Sequence, residues 1–520
     1  MFIRNIIDYG YYLLFGEATS ESLADEVRTK PHGVLKKNYG WLGGDVYFVN
    51  PAPKPAADGH LVDPPFKTAE IFNTMDQKPH GRLAESGLRY LLGGDFIIAK
   101  TEQRENQHFA LNHHQLFTRS LTRPSDYIHS TLNALQKFIE LQNGECSMRS
   151  LSTVPLRNSI AKGLFDLEEI TPEFNRALES FTGLTEERVE KLDTTVWTKL
   201  RLAYYGWLLN YMPKIIAARD QFVISVDQVI GAQEDKVLSD LHNYDSQIPT
   251  NIISLSIIQL IREKIQTEHQ DYSTDETAQA LKEYLPKMTL ADLKPYLSDP
   301  YIRTLPAVIS PADMIMIPTI CALTQLASNQ ELQQQLREEI AERRFFEDDD
   351  SSRMQRNIED DKRNGGLLHR IFLESLRREY PQKNIHDLER STILWRYCED
   401  GMTLGEENIP PGSLIAVLNA LQRFDINIWH NPEVFNPDRF RMADGTLNKE
   451  LENVVMTIFT ESRRKCPANR VTEYIFQTFI AHIVSHHKLE LATDINETNV
   501  DNIRLRISPV NSGMELRVSK

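Results

Sequence analysis

FTESRRKCPANR, residues 459–470, sets a single cysteine among four cationic side chains, Arg463, Arg464, Lys465 and Arg470. Nearby cations stabilise a thiolate against its thiol, so Cys466 is a candidate metal ligand or nucleophile. The apolar spacing of 468–487 predicts a long helix directly behind it. Pro467 suits that helix's first turn, and the positive N-terminal end would face the sulfur. A basic-flanked cysteine is also an ordinary structural residue, so the flanking sequence has to carry the argument.

Two more features lie upstream in fixed order. FLESLRR (372–378) puts Glu374 and Arg377 three residues apart on a predicted helix over 366–380, where they can pair. WHNPEVFNPDRF (429–440) brings Arg439 after an extended proline turn. The Glu-x-x-Arg helix, the Pro-x-Arg-Phe turn and the Phe-x-x-x-x-Arg-x-Cys loop together resemble the cytochrome P450 family of heme-thiolate enzymes.

The resemblance implies a mainly α fold with a minor β region (α+β) and heme b, iron-protoporphyrin IX, as cofactor. Cys466 would be the axial thiolate of the iron. Phe459 would lie against the ligand loop, and Arg464 would pair with a heme propionate. Arg396, within ILWRYCEDGMTLGEENIPPGSLIAVL (393–418), matches the arginine near the other propionate. Glu374, Arg377 and Arg439 would form a buried charge triad fixing the proximal loop. Such a triad requires all three members, because one unpaired buried charge costs several kcal/mol.

The similarity is nearly continuous from about 366 to 490 and thins upstream. His108, in ENQHFALNHHQLF, stands where the family's propionate-binding helix has Trp or His, and Asn112 stands where it has Arg. An amide can still donate to a propionate but brings no charge; the other reading is a histidine-rich surface helix. Ser462 and Ala468 replace two glycines of the cysteine loop. In a left-handed conformation each would cost roughly 1–2 kcal/mol.

Counting back from LASNQELQQQLREEI (326–340) aligns SPADMI (310–315) with the distal stretch that faces the iron in the family. Asp313 then takes the acid position and Met314 the place of a threonine. A thioether cannot donate a proton. Pro306, Pro311 and Pro318 predict a distal helix that is kinked or starts late.

Composition bounds the rest. At 520 residues, 41% hydrophobic and 25% charged, the chain is an ordinary globular protein. Its charge of −15 argues against a nucleic-acid partner, which wants a basic face. Four separated cysteines, 146, 321, 398 and 466, exclude a disulfide framework or CxxC zinc site and favour a reducing, cytoplasmic location. With no run of about 18 apolar residues, membrane contact is at most peripheral, through Tyr11, Leu13, Leu14 and Phe15.

Organisation is expected as one domain over 1–520. It has a β-rich part at about 40–100, a helical body at 105–380, a heme-binding part at 381–490 and a closing hairpin at 500–520. Strands are expected at Asp45–Asn50 and Asp95–Lys100, and helices over 126–142, 186–210, 251–268, 276–286 and 319–343. The polar segment Glu347–Arg363 reads as a solvated loop or frayed helix. The functional expectation is oxidation of a moderately apolar organic molecule by monooxygenation or oxidative coupling, with a ferredoxin or flavoprotein reductase as electron donor. The alternatives are a heme-thiolate isomerase, dehydratase or peroxide user, and a heme-binding protein without turnover.

Overall fold

The structure is a computed structural model. It describes residues 34–38, 45–50, 53–55, 61–62, 123–142, 144–167, 169–178, 212–246, 249, 251–299, 302–309, 312–346, 351–378, 393–398, 401–411, 413–418, 423, 425–459, 466, 468–493 and 503–510. The expected strand at Asp95–Lys100 and helix at 186–210 lie outside these residues, as do His108, Asn112, Ser462, Arg464 and the segment around Tyr11.

Helices dominate. In chain order they are α1 (Pro124–Glu140), α2 (Met148–Phe165), α3 (Met212–Gly231), α4 (Glu234–His242), α5 (Ile252–Glu268), α6 (Thr274–Tyr284) and α7 (Leu290–Leu297). Then come α8 (Ala312–Ser328), α9 (Gln330–Glu342), α10 (Ser351–Arg363), α11 (Leu367–Arg378), α12 (Lys449–Met456) and α13 (Asn469–His486). The strands are β1 (Val34–Asn38), β2 (Asp45–Val49), β3 (Lys54–Pro55), β4 (Leu61–Val62), β5 (Glu145–Ser147), β6 (Ile393–Cys398), β7 (Met402–Leu404), β8 (Glu407–Ile409), β9 (Ser413–Leu418), β10 (His487–Leu491) and β11 (Arg504–Pro509). The mainly α, minor β class is the one observed.

The largest core cluster runs through α1, α2, α8, α11 and α13. Every residue of α11 is buried, and so is most of α13 from Val471 to Val484. Helices enclosed on all sides must find partners for most of their buried polar groups. A smaller cluster lies on the sheet ordered β1-β2-β9-β6, where Tyr47, Val49, Ile415 and Val417 are buried. There β2 and β9 run parallel, with Val46 opposite Leu414.

Three sequence expectations need correction. The span 319–343 is two helices: the Asn329 side chain accepts the Leu332 amide at 3.0 Å, capping α9 and ending α8. The polar segment 347–363 forms the regular helix α10 from Ser351, because Met354, Ile358 and Asp361 give it a narrow buried stripe. The tail does not begin as a self-contained hairpin. Strand β11 pairs antiparallel with β10 on one side and β5 on the other, while residues 511–520 lie outside the described set.

Candidate active site

The cysteine loop is closed at its base. Phe459 ends the short helical turn Thr457–Phe459, half-buried against the main core. Its carbonyl accepts the backbone amide of Cys466 at 2.8 Å. Among the four cysteines, Cys146, Cys321 and Cys398 are buried, and Cys466 alone is partly exposed.

Directly beyond it α13 begins at Asn469 with Ala468 as N-cap, later than Pro467 suggested. Ala468 has φ −85°, an ordinary conformation, so the left-handed strain expected there is absent. Arg470 is exposed on the first turn of α13, and its charge acts on Glu359 and Tyr474.

Between α11 and the turn Pro437–Phe440 the structure brings Glu374, Arg377 and Arg439 together. Arg377 donates from Nε and Nη2 to the two Glu374 carboxylate oxygens, both at 2.8 Å. Arg439 Nε donates to Oε1 at 3.1 Å, and the Asn436 amide donates to the same oxygen at 2.9 Å. Glu374 and Arg377 are wholly buried.

Two guanidinium groups against one carboxylate leave an excess positive charge. Backbone carbonyls face it: Arg423 for Arg377 at 2.9 Å, and His430 and Val434 for Arg439 at 2.9 and 2.8 Å. Burial, with Arg377 adding to it and Glu374 opposing, pushes the Arg439 guanidinium below its ordinary value.

One residue of this assembly was missed from the sequence. The fully buried Trp429 lies under both guanidinium groups, 5.2 Å from Arg377 and 5.9 Å from Arg439 to the ring centroid. Its π face is a third sink for the excess charge. The signal was present, since WHNPEVF was quoted, but a tryptophan's face meets a cation only in three dimensions. Two outer pairs finish the shell: Arg370 with Asp438, and Arg378 with Glu433 at 3.1 Å.

On the distal side, a 3-10 helix Ile302–Ile309 holds Pro306, and α8 starts at Ala312. Ser310 and Pro311, between the two, lie outside the described residues. Pro318 lies inside it and supplies no amide to the carbonyl four residues back. Asp313 and Met314 fall, by backbone, in the first turn of α8. Arg396 falls, by backbone, opposite Ile415 in the β6–β9 ladder.

Among the described residues no group of three or more His, Cys, Asp or Glu is arranged to hold a metal ion. One partly exposed thiol at the end of the loop would suit a different donor set, a single protein sulfur holding an iron whose other ligands come with its cofactor. The residues present therefore fit heme. No helix of the described residues is long and apolar enough to cross a membrane.

A family model described as Cytochrome P450 matches residues 255–511. Curated relatives match over short segments. Cytochrome P450 71A2 of Solanum melongena is 31% identical over 137 residues, 26% of this chain and 25% of that protein. Strychnine-10-hydroxylase of Strychnos nux-vomica is 31% identical, covering 26% and 24%. Cytochrome P450 1A1 of Balaenoptera acutorostrata is 34% identical over 73 residues, 14% of each chain. The matches thus span about a quarter or less of these relatives' length. Among solved structures, retinoic acid-bound cyanobacterial CYP120A1 superposes with a TM-score of 0.57 over 94% of this chain and 95% of that one, at 12% identity. That likeness shows the fold, and the family model covers the segment holding Glu374, Arg439 and Cys466. The chain belongs to the cytochrome P450 family.

Proposed function

We propose that this protein is a heme-thiolate oxidoreductase acting on a moderately apolar organic molecule by monooxygenation or oxidative coupling. The observation that carries the reading is the closed Phe459–Cys466 loop. It holds a partly exposed thiol ahead of α13, and the same chain carries the buried Glu374–Arg377–Arg439 assembly. When bound, heme b supplies dioxygen activation by its iron, using electrons from an external ferredoxin or flavoprotein reductase.

The chain's own residues have narrower tasks. Cys466 coordinates through its thiolate, and the amide bond to Phe459 fixes the loop that carries it. Arg464 and Arg396 pair with the propionates, with His108 and Asn112 as further donors. Asp313 is the only acid in the first turn of α8 and serves as the proton-relay group. Met314 cannot donate, so water completes the relay. A cytoplasmic location agrees with the cysteine usage.

A second reading has one observation in its favour: a thioether at position 314 where a hydroxyl donor is expected. A heme-thiolate isomerase, dehydratase or peroxide user needs no such donor.

The test is the absorption spectrum of the purified protein, reduced and exposed to carbon monoxide. A strongly red-shifted Soret band that Cys466→Ser abolishes supports the assignment, and a band retained in Cys466→Ser overturns it. Turnover of a lipid hydroperoxide without a reductant would move the assignment to the second reading.

A further inference from the structure

A second charged cluster lies on α11, α12 and α13, outside the triad. His369 of α11 is completely buried. Its Nε2 is 3.2 Å from Glu452 Oε1 on α12, and its Nδ1 is 2.9 Å from Glu473 Oε1 on α13. These helices flank the loop, α12 preceding Phe459 and α13 following Cys466.

Ionised carboxylate oxygens only accept, and a neutral imidazole has one N–H. With a carboxylate at each nitrogen, the neutral ring would turn a lone pair towards one oxygen. The imidazolium donates to both, and the geometry therefore calls for the charged ring.

The surrounding groups agree. Lys449 on α12 holds Glu452 at 2.7 Å and Lys362 on α10 holds Glu473 at 2.5 Å. Both lysines are partly exposed and screened by water. Gln477 on α13 donates to Glu473 at 3.2 Å, and its Nε2 also stands 3.3 Å from the ring Nδ1. The backbone amide of His369 donates to Asp361 of α10 at 2.7 Å, and Arg343 faces Asp361 at 3.1 Å.

We propose that His369, as an imidazolium, is a positioning residue that braces α12 and α13 against α11, and that its loss of a proton at alkaline pH loosens the two segments that carry the Cys466 loop. Burial lowers the ring's proton affinity, but Glu452 and Glu473 outweigh it and the net shift is upward. Burial opposes ionisation of Glu452, but its hydrogen bonds to His369 and Lys449 outweigh that and hold its carboxyl down to about 2. The brace is fully present below the ordinary histidine value and fades as pH rises through the elevated one. The inference stands apart from the proposed activity, since nothing in it needs bound heme.

The experiment is hydrogen–deuterium exchange of the purified full-length protein from pH 6 to pH 9, corrected for intrinsic exchange. Protection of Lys449–Met456 and Asn469–His486 should fall roughly tenfold across an alkaline step. In His369→Gln the step should vanish, with low protection at every pH. Flat wild-type protection, or a step that survives in His369→Gln, overturns the proposal. If the variant does not fold, the ring ¹⁵N shifts of the wild type decide. Both His369 nitrogens should carry protons at pH 7.5, and a neutral ring there overturns it.

Discussion

The indole of Trp429 lies under the guanidinium of Arg377 at 5.2 Å, and both are wholly buried. The ring thereby supports a charged pair that has no water to solvate it. Trp429→Ala should cost about 3–5 kcal/mol from lost packing alone. Trp429→Leu should restore part of that loss but none of the cation–π contribution. Urea midpoints check this, and a Trp429→Leu midpoint equal to that of the wild type would leave the ring a mere space-filler.

Removing the carboxylate beside it is more severe. Glu374→Ala strands two buried guanidinium groups, whereas Arg439→Ala leaves the Glu374–Arg377 pair intact. The first should cost about 3–5 kcal/mol, the second clearly less. Yield of folded protein and denaturation midpoints measure both, and equal losses would contradict a shared carboxylate.

Asp361 gives a pH prediction of the same sign as that for His369, in a window that opens at lower pH. Burial, with Glu339 beside it, pushes its carboxyl up to about 7, while Arg343 and the His369 amide oppose. Between the ordinary value near 4 and about 7 the folded chain holds a proton the unfolded chain has released. This group's contribution to stability therefore falls as pH rises through that window. Asp361→Asn, which cannot titrate, should narrow the gap between urea midpoints at pH 5 and pH 8. An unchanged gap would mean the carboxyl is already ionised at pH 5.

For the distal side, Met314→Thr restores a hydroxyl donor in the first turn of α8. With a reductase supplied, the fraction of electrons recovered in oxidised product should rise. An unchanged fraction would place proton delivery elsewhere.

The proximal half of the protein was legible because its chemistry is written in residue identity at fixed spacing. Glu374, Arg377 and Arg439 can do little else when buried together. Cys466 stands out by its exposure once the other three cysteines are seen in the core. Helix α10 was not legible because only Met354, Ile358 and Asp361 face inward and the other positions look like loop. His369 and Trp429 were not legible either. Each acts through partners at least 50 positions away, except that Trp429 also meets Arg439 nearby. The break at Asn329 could have been anticipated, since Asn is a strong N-cap. The strain expected at Ala468 rested on a conformation the helix entry does not adopt.

Strand β11 is the middle of its sheet, and Arg504 reaches Glu145 across 359 positions of sequence. A ribosome delivers β5 long before its neighbour exists. Until residues 504–509 emerge, the start of α2 is tethered to an unsatisfied strand edge, a surface prone to wrong pairing. The helices can gather during translation, but this ladder closes only when its last member is made. Completion of the sheet is thus a late, slow event that a chain ending before β11 could not reach.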